Sequence, residues 1–183
     1  VAQPSSIDHD VDGSDDLSTV YNIVEIFHSV QGEGYRSGIP HVFIRFGRCN
    51  LRCEWCDTDF DTYEQMSVKT ILEQVISFEC KNVIFTGGEP MINDLWPLAR
   101  TLKRRGYHLS VESNGTVEIP DGLLDWICIS PKDQMYPQVA IKQRTGDELK
   151  CVYVGQPHLS CTMNSNTDLS ISFCNRATMN PTV

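Results

Sequence analysis

Residues 48–58 read Arg48-Cys49-Asn50-Leu51-Arg52-Cys53-Glu54-Trp55-Cys56-Asp57-Thr58 and contain three cysteines in a C-x3-C-x2-C spacing. Three thiolates can converge from one short loop of this kind, and cysteine is the usual protein ligand of iron-sulfur clusters. A cubane has four irons, so three cysteines leave one iron free for a ligand from outside the protein. The loop therefore predicts a 4Fe-4S site, held by Cys49, Cys53 and Cys56, at which chemistry can take place.

A structural zinc site is the alternative for the same loop. Zinc would need one more ligand, such as His28, His41 or Cys80, to complete a tetrahedron. Structural zinc sites typically take their ligands from paired knuckles, and the sequence has no second Cys-x-x-Cys or His-x-His pair. The cluster is therefore favoured, and His28 and His41, each in a strand-like run, are predicted to be structural.

Strand-like and helical segments alternate on both sides of this loop. Strands are predicted over residues 22–30, 41–46, 82–86, 107–112, 126–130 and 147–154, and helices over residues 67–79 and 93–105. This alternation is typical of an α/β fold with a parallel sheet, in which ligands gather beyond the carboxyl ends of the strands. We therefore expect the polar segments that follow strands to share one rim, namely residues 31–33, 49–58, 86–90, 112–114 and 130–132.

Length and composition limit the class of protein. At 183 residues and 40% hydrophobic content the chain can form one domain with a sizeable core, but it is short for a complete barrel. It has no apolar run of about 18 residues and no signal-type segment, so a cytoplasmic protein without membrane contact is expected. The net charge of -9 argues against direct nucleic-acid binding. Residues 1–20 hold five aspartates and no lysine or arginine, which predicts an acidic disordered leader.

Five further cysteines are scattered along the chain rather than clustered. Free cysteine behaves as a small hydrophobic residue, so buried or half-buried thiols in a reducing compartment are expected. Cys161 and Cys174 lie in a polar tail and have no assigned role. The five are Cys80, Cys128, Cys151, Cys161 and Cys174.

A second motif, Thr86-Gly87-Gly88-Glu89-Pro90, follows the cysteine loop after one helix and one strand. Its two glycines allow a close backbone approach, and its carboxylate can accept from an ammonium group. With both motifs the chain resembles the radical S-adenosylmethionine (SAM) enzymes and, among them, the 7-carboxy-7-deazaguanine synthases. Gln31-Gly32-Glu33-Gly34 and Cys56-Asp57-Thr58 are typical of that family, and the resemblance covers residues 22 to 154. Other segments that carry it are 43–46, 112–116, 129–132 and 146–150.

The resemblance implies both a fold and a reaction. The fold would be a partial (β/α) barrel of the radical SAM type, shortened and with a mostly parallel sheet. The reaction would be that of a carbon-nitrogen lyase in queuosine (tRNA modification) biosynthesis. A 5′-deoxyadenosyl radical would take a hydrogen from 6-carboxy-5,6,7,8-tetrahydropterin, and the ring would contract to 7-carboxy-7-deazaguanine with loss of ammonia. No side chain is assigned a catalytic role, because the cofactor carries the difficult step. A flavodoxin-like or other electron donor and a homodimer are also implied.

The resemblance also implies the binding residues. The cluster would bind Cys49, Cys53 and Cys56, and Thr58 would bind Mg²⁺, a hard ion that favours oxygen ligands. SAM would contact Trp55, Cys56, Asp57, Gly88, Glu89, Ser113, Asn114, Ser130, Pro131 and Lys132. The substrate would contact Val30, Gln31, Gly32, Glu33, Arg45 and Thr86, with Arg45 on its carboxylate because a planar guanidinium matches that group.

The resemblance stops after Val154. Residues 21–154 are therefore predicted to form the radical SAM core, and residues 155–183 a divergent or truncated C-terminal segment in which residues 160–175 show no clear periodicity. A missing terminal strand would expose one side of the sheet unless a second subunit covered it. Two other functions remain open, an activase of a glycyl-radical enzyme and a degenerate metal-binding module, although Gln31–Gly34 and Cys56–Thr58 argue against the activase.

Overall fold

The computed structural model describes residues 15–132, 136–153 and 170–175. Their strands form one sheet in the order β3-β1-β2-β4-β5-β6-β7-β8. The strands are β1 (Val20–Val30), β2 (Pro40–Phe46), β3 (Glu64–Ser67), β4 (Asn82–Gly87), β5 (His108–Ser113), β6 (Trp126–Ile129), β7 (Glu148–Tyr153) and β8 (Ser170–Asn175). The helices are α1 (Val68–Ser77) and α2 (Trp96–Lys103), with a 3-10 turn at Pro90–Ile92.

The predicted α/β fold with a mostly parallel sheet is confirmed, and the sheet is open rather than closed into a barrel. All neighbouring pairs from β2 to β8 are parallel. By contrast, β1 is antiparallel to both β2 and β3, with Val30 of β1 opposite Pro40 of β2. The carboxyl end of β1 therefore lies at the amino end of β2. The prediction that residues 31–33 share a rim with the cysteine loop is wrong for this reason.

The two faces of the sheet have different chemistry because side chains alternate along each strand. On β2, Val42, Ile44 and Phe46 are fully buried in the core shared with α1 and α2. The alternate positions on the other face carry Arg45 on β2 and, on β4, β5 and β7, the polar side chains of Thr86, Glu112 and Lys150. Arg45 and Thr86 are direct neighbours in the parallel register. This polar face is the one that borders the candidate site.

One helix begins later than the sequence predicted, and two strands were not predicted. Helix α2 begins at Trp96 rather than Asn93, because the chain first makes the 3-10 turn and Asp94 then accepts from the backbone N–H of Trp96 at 3.0 Å. Strand β3 was not predicted, since its polar residues form a strand only by pairing with β1. Strand β8 lies in the stretch without clear periodicity and pairs in parallel with β7.

Part of the predicted leader has defined contacts. The Asp15 carboxylate lies 2.7 Å from Arg105 and 3.1 Å from Arg104, and these hydrogen bonds and charges hold the pKa of Asp15 below its ordinary value although burial opposes them. Residues 1–14 and most of residues 155–183 lie outside the described residues, as does the predicted division between core and C-terminal segment.

The scattered cysteines are not all alike. Cys80 and Cys128 are buried free thiols, as predicted. Cys151 is disulfide-bonded, so the prediction of a thiol is wrong there. The side chains of Cys161 and Cys174 lie outside the described residues. No helix in the described part of the chain is both long and apolar enough to cross a membrane.

Candidate active site

The cysteine loop leaves the carboxyl end of β2 through a backbone position that few residues adopt. Arg48 has a φ of 66°, in the left-handed region, and its N–H donates to the Phe60 carbonyl at 2.7 Å. The Arg48 carbonyl accepts from the N–H of Glu89 at 2.9 Å. This backbone hydrogen bond to residue 89 thus fixes the position of Arg48, immediately before Cys49.

Gly88 is required by this hydrogen bond. A Cβ atom at residue 88 would overlap the Arg48 carbonyl oxygen, so only glycine lets the two segments approach this closely. The sequence analysis expected the glycines to admit a ligand. In the structure Gly88 admits the protein's own backbone as well as bordering the site, and so it ties the Gly-Gly-Glu-Pro turn to the cysteine loop.

The three loop cysteines are free thiols of differing exposure. Cys49 and Cys53 are half-buried and Cys56 is exposed. Burial raises the pKa of the Cys49 thiol, while the Leu51 N–H donates to its Sγ at 3.4 Å. Such thiols fit an iron-sulfur cluster, whose irons are separate atoms that each take one cysteine.

A single-ion site has less support. Among the residues that the structure describes, no group of three or more His, Cys, Asp or Glu side chains is arranged to hold one metal ion. His41 is fully buried, with Nδ1 2.9 Å from the Ile39 carbonyl and Nε2 accepting from Arg36 at 3.2 Å. The ring of His28 packs beside that of Phe78, with centroids 6.0 Å apart. Both histidines therefore have structural contacts, as the sequence predicted.

Glu89 lies behind the wall of the site rather than on it. Its side chain is fully buried, and its carboxylate accepts from the Asn114 N–H at 2.6 Å, the Ser113 hydroxyl at 2.9 Å and the Met91 N–H at 3.0 Å. Burial raises the pKa of Glu89 despite these bonds. Glu89, predicted to contact the methionine end of SAM, does not line the cavity, and that contact stays a prediction. Its observed role is to fix Ser113 and Asn114 beside the cysteine loop.

A cavity of about 290 Å³ lies between the cysteine loop and the polar face of the sheet. Most of the residues predicted from sequence line it. From the cluster and cofactor groups these are Cys49, Cys53, Trp55, Cys56, Asp57, Thr58, Gly88, Ser113, Asn114, Ser130 and Lys132, and from the substrate group Glu33, Arg45 and Thr86. The predicted residues that do not line it are Val30, Gln31, Gly32, Glu89 and Pro131.

One side of the cavity carries a cation over an aromatic ring. Lys132 Nζ lies 5.4 Å from the centroid of the Trp55 ring and donates to both the carbonyl and the hydroxyl oxygen of Ser130 at 2.6 Å. Burial lowers the pKa of Lys132 to about 8. These contacts place a cation and the flat face of an indole ring on the same side of the cavity, beside the cysteine loop.

Thr58 and Arg45 meet at another corner of the cavity lining. Arg45 Nη1 donates weakly to Thr58 Oγ1 at 3.5 Å, and Arg45 Nε lies 3.0 Å from Glu25. The Thr58 hydroxyl also donates to Asp57 Oδ1 at 3.3 Å. The Thr58 hydroxyl, which could bind a metal ion, and the Arg45 guanidinium therefore border the same corner of the cavity.

The floor of the cavity contains an ion pair to which the sequence analysis assigned no role. Lys150 Nζ lies 2.7 Å from Glu112 Oε1 and 3.1 Å from Glu33 Oε2. Glu112 also accepts from the Thr86 hydroxyl at 2.9 Å and the Gln31 side-chain amide at 3.1 Å. We call these five residues the floor network. Burial alone would raise the pKa of Glu112, but the charge of Lys150 and the three hydrogen bonds hold it below its ordinary value.

The loop at residues 31–39 reaches this floor from the amino end of the sheet. The Tyr35 ring stacks on Trp126 with centroids 5.3 Å apart, and the Tyr35 N–H donates to Glu148 at 3.1 Å. This explains why Gln31 and Glu33 take part in the site although they leave the sheet at the other end. The sequence signal for the pair was present, since Glu112 and Lys150 each stand within a segment that carries the family resemblance. What it lacked was any sign that the two side chains meet.

Comparisons with known proteins agree with this geometry. The profile of the radical SAM superfamily matches residues 43–132. A 7-carboxy-7-deazaguanine synthase of Haemophilus influenzae is 49% identical over 118 residues, covering 64% of this chain and 56% of the relative. The synthase of Neisseria meningitidis is 43% identical, covering 77% and 67% respectively, and that of Bacteroides thetaiotaomicron is 42% identical, covering 73% and 71%. The chain thus spans between about half and three quarters of the length of these relatives.

A solved structure is similar in fold. The crystal structure of QueE from Escherichia coli superposes with a TM-score of 0.64 at 29% sequence identity, covering 73% of this chain and 70% of that one. The cysteine loop and the Gly-Gly-Glu-Pro turn, which border one cavity together with Glu33, both lie within residues 43–132 that the superfamily profile matches. The chain therefore belongs to the 7-carboxy-7-deazaguanine synthase family of the radical SAM superfamily.

Proposed function

We propose that this protein is a 7-carboxy-7-deazaguanine synthase, which contracts the ring of 6-carboxy-5,6,7,8-tetrahydropterin to 7-carboxy-7-deazaguanine with loss of ammonia. The observation that carries the proposal is a single cavity of about 290 Å³ bordered by the three loop cysteines on one side and by Glu33, Arg45 and Thr86 on the other. A cofactor held by the first group and a substrate held by the second would be in contact.

The cofactor side would hold a 4Fe-4S cluster on Cys49, Cys53 and Cys56 and SAM beside it. When bound, these groups supply one-electron cleavage of the sulfonium and a carbon radical that removes hydrogen from the substrate. The chain itself supplies orientation. The backbone at Gly88 and the side chains of Ser113 and Asn114, fixed by Glu89, line the wall that would face the cofactor's polar groups, and the Trp55 ring would face its adenine or ribose. Lys132 and Asp57 provide charges of opposite sign along the same wall.

The substrate side has the chemistry that a carboxylated pterin requires. A pterin presents ring N–H donors, for which the carboxylates of Glu33 and Glu112 are acceptors, and a carboxylate, for which Arg45 is a planar bidentate donor. Thr86 and Gln31 hold Glu112 in place through the floor network. We infer that Val30 and Gly32, which do not line the cavity, affect substrate binding only through the backbone of the loop.

Thr58 is proposed as a ligand of Mg²⁺ that also binds the substrate. Its hydroxyl borders the cavity at the corner where Arg45 lies, and Mg²⁺ often keeps few protein ligands together with waters and substrate oxygens. A homodimer, a flavodoxin-like or other electron donor and a cytoplasmic location are further parts of the proposal. The free thiols of the cysteine loop and of Cys80 and Cys128 support the last of these, because thiols persist in a reducing compartment, whereas the disulfide-bonded Cys151 does not add to that support.

The proposal is tested by anaerobic reconstitution with iron and sulfide, followed by dithionite, SAM, Mg²⁺ and 6-carboxytetrahydropterin. We expect formation of 7-carboxy-7-deazaguanine and release of ammonia, while SAM is not consumed in proportion to product. A reaction without SAM serves as the control. An intact cluster that cleaves SAM without forming the deazapurine would contradict the proposed reaction, and a colourless protein holding one zinc would contradict the cluster itself.

The role of Thr58 has its own test. Thr58→Ala removes the hydroxyl oxygen and should abolish most of the stimulation of turnover by Mg²⁺, with iron content unchanged. Thr62→Ala, which changes the same residue type in the nearby chain, is the matched control and should leave the stimulation intact. Equal Mg²⁺ dependence in Thr58→Ala and the parent protein would remove Thr58 from the proposed site.

A further inference from the structure

The floor network has a cation at its centre that joins two segments far apart in sequence. Lys150 on β7 contacts Glu112 on β5 at 2.7 Å and Glu33 in the loop after β1 at 3.1 Å. The side chains of Lys150 and Glu112 are 12% and 22% exposed, so both charges have lost most of their water. Two carboxylates close to one buried ammonium attract it and repel each other. Their relative position therefore depends on that ammonium.

We propose that Lys150 is a positioning residue for the substrate: it holds the carboxylates of Glu112 and Glu33 as a fixed pair of acceptors on the cavity floor. The inference rests on the proposed function for the identity of the substrate, but the arrangement of the three charges does not. Thr86 bonds to Glu112, and Gln31 bonds to Glu112 and to the backbone N–H of Glu33, whereas Lys150 contacts the carboxylates of both glutamates. Gln31 and Tyr35 also tie the loop at 31–39 to the sheet, but Lys150 is the cation that joins the Glu33 carboxylate to that of Glu112.

The same geometry predicts how the floor responds to pH. Lys150 favours the ionised form of Glu112, which is the form that accepts hydrogen bonds from ring N–H groups. Without Lys150, burial and the charge of Glu33 would both favour the protonated form and raise the pKa of Glu112. Other charged or titratable groups near the pair are Cys128 on β6, Glu148 on β7, Lys132 after β6, Arg36 in the loop after β1 and His41 on β2.

Substrate binding by a set of lysine variants tests the proposal. Lys150→Met keeps the length of the side chain but removes the charge, and Lys150→Arg keeps the charge. Binding of 6-carboxytetrahydropterin is measured by anaerobic calorimetry between pH 5 and 9. We expect Lys150→Met to weaken binding about 10-fold or more near neutral pH and to move the acidic limb of binding upward by about one pH unit. Lys150→Arg should restore the position of the limb.

Two controls separate this effect from a general loss of structure. Lys69→Met removes an ammonium from the exposed surface of α1, where the side chain is 69% exposed, and should leave both affinity and pH profile unchanged. The affinity for SAM should change less than about twofold in Lys150→Met, because Lys150 lies on the floor rather than on the wall of the cysteine loop. A merely structural role would lower both affinities together without shifting the acidic limb.

A second measurement does not depend on the substrate. The side-chain carboxyl carbon of Glu112, labelled with ¹³C and assigned through Glu112→Gln, is titrated by NMR in the parent and in Lys150→Met. We expect the pKa of Glu112 in Lys150→Met to lie above that in the parent by about one unit or more. An unchanged Glu112 titration overturns the inference even if the parent binds no pterin. Absence of pterin binding by the parent with a shifted Glu112 titration would instead overturn the proposed substrate.

If Lys150→Met does not fold, the double variant Lys150→Met/Glu112→Gln decides the question. Removing Glu112's charge together with that of Lys150 eliminates the unpaired buried carboxylate, so the double variant should be more stable than Lys150→Met alone. A double variant that is no more stable would show that Glu112 is not the group that Lys150 compensates, and would overturn the inference.

Discussion

The wall and the floor of the cavity are built in different ways. The wall, formed by residues 48–58 with Gly87 and Gly88, is held mainly by backbone bonds between short motifs, such as the bond from the N–H of Glu89, directly behind it, to the Arg48 carbonyl at 2.9 Å. The floor is held by charged side chains from β5, β7 and the loop after β1, with Lys150 between Glu112 and Glu33. The difference teaches that the proposed cofactor side is shaped by local backbone conformation, whereas the proposed substrate side is shaped by the balance of buried charges.

The largest expected effect is loss of the cluster from the wall. Cys53→Ala removes one of the three proposed thiolate ligands. It should abolish cluster retention and all turnover, because two thiolates do not hold a four-iron cluster firmly enough to prevent its loss. Iron and sulfide analysis with the visible absorption spectrum measures this. Cys80→Ala, at a buried thiol outside the loop, should keep its iron content, and equal iron loss in both variants would contradict the assignment of the loop.

Gly88→Ala is expected to damage the wall through the backbone. The new Cβ would overlap the Arg48 carbonyl oxygen, so either the loop start or the turn must move. Overpacking of this kind costs about 1–3 kcal/mol of unfolding free energy. Cluster content should also fall, because Cys49 follows Arg48 directly.

Gly32→Ala is the matched control for this change. A Cβ at residue 32 would meet no atom within 4 Å, so the free energy of unfolding and the iron content should be nearly unchanged. Denaturant unfolding and iron analysis of both variants provide the comparison. Similar losses at the two glycines would contradict the close approach at Gly88.

Glu112→Gln should have a smaller effect, limited to the floor. It leaves Lys150 with one carboxylate partner, Glu33, and should lower the free energy of unfolding by about 2 kcal/mol near neutral pH. Cluster content should not change. Thr86→Val removes one hydrogen-bond donor to Glu112 but no charge. It should lower the free energy of unfolding by about 1 kcal/mol, less than Glu112→Gln.

The pH dependence of this effect has a definite sign. The pKa of Glu112 lies below its ordinary value of 4.5 in the folded protein, so its stabilising contribution is complete above that value and decreases as the pH falls through the lower folded-state pKa. The difference in stability between the parent and Glu112→Gln should therefore shrink on acidification below about pH 4.5. A difference that stays constant down to pH 3 would show that the carboxylate is not stabilised by its partners.

Much of the wall was accessible from sequence, and much of the floor was not. The C-x3-C-x2-C spacing and the Gly-Gly-Glu-Pro turn each act within a few residues, so motif chemistry predicts them. The antiparallel direction of β1 was missed, because alternation of strands and helices carries no information about a strand that pairs without a helical crossover. Strands β3 and β8 were missed or left unassigned because pairing with β1 and β7, rather than local periodicity, makes them strands.

Glu89 and Cys151 show a further limit. The resemblance implied that Glu89 contacts the cofactor, and in the structure its side chain is fully buried and bonded to Ser113 and Asn114. Cys151 was expected to be a thiol and is disulfide-bonded. In both cases the residue type and its neighbours in sequence permit either state, and the partner brought near by the fold decides between them.

The sequence by itself determined the class of the fold and the family, and it predicts the cluster ligands, because these depend on residue types at short fixed spacings. Tertiary structure alone decided which end of the sheet the Gln31–Gly34 loop leaves from, that Glu89 is a support behind the wall, and that Lys150 joins Glu112 to Glu33. The physical reason is that buried charges and close backbone contacts depend on distances between segments up to 117 residues apart, which spacing along the chain does not specify.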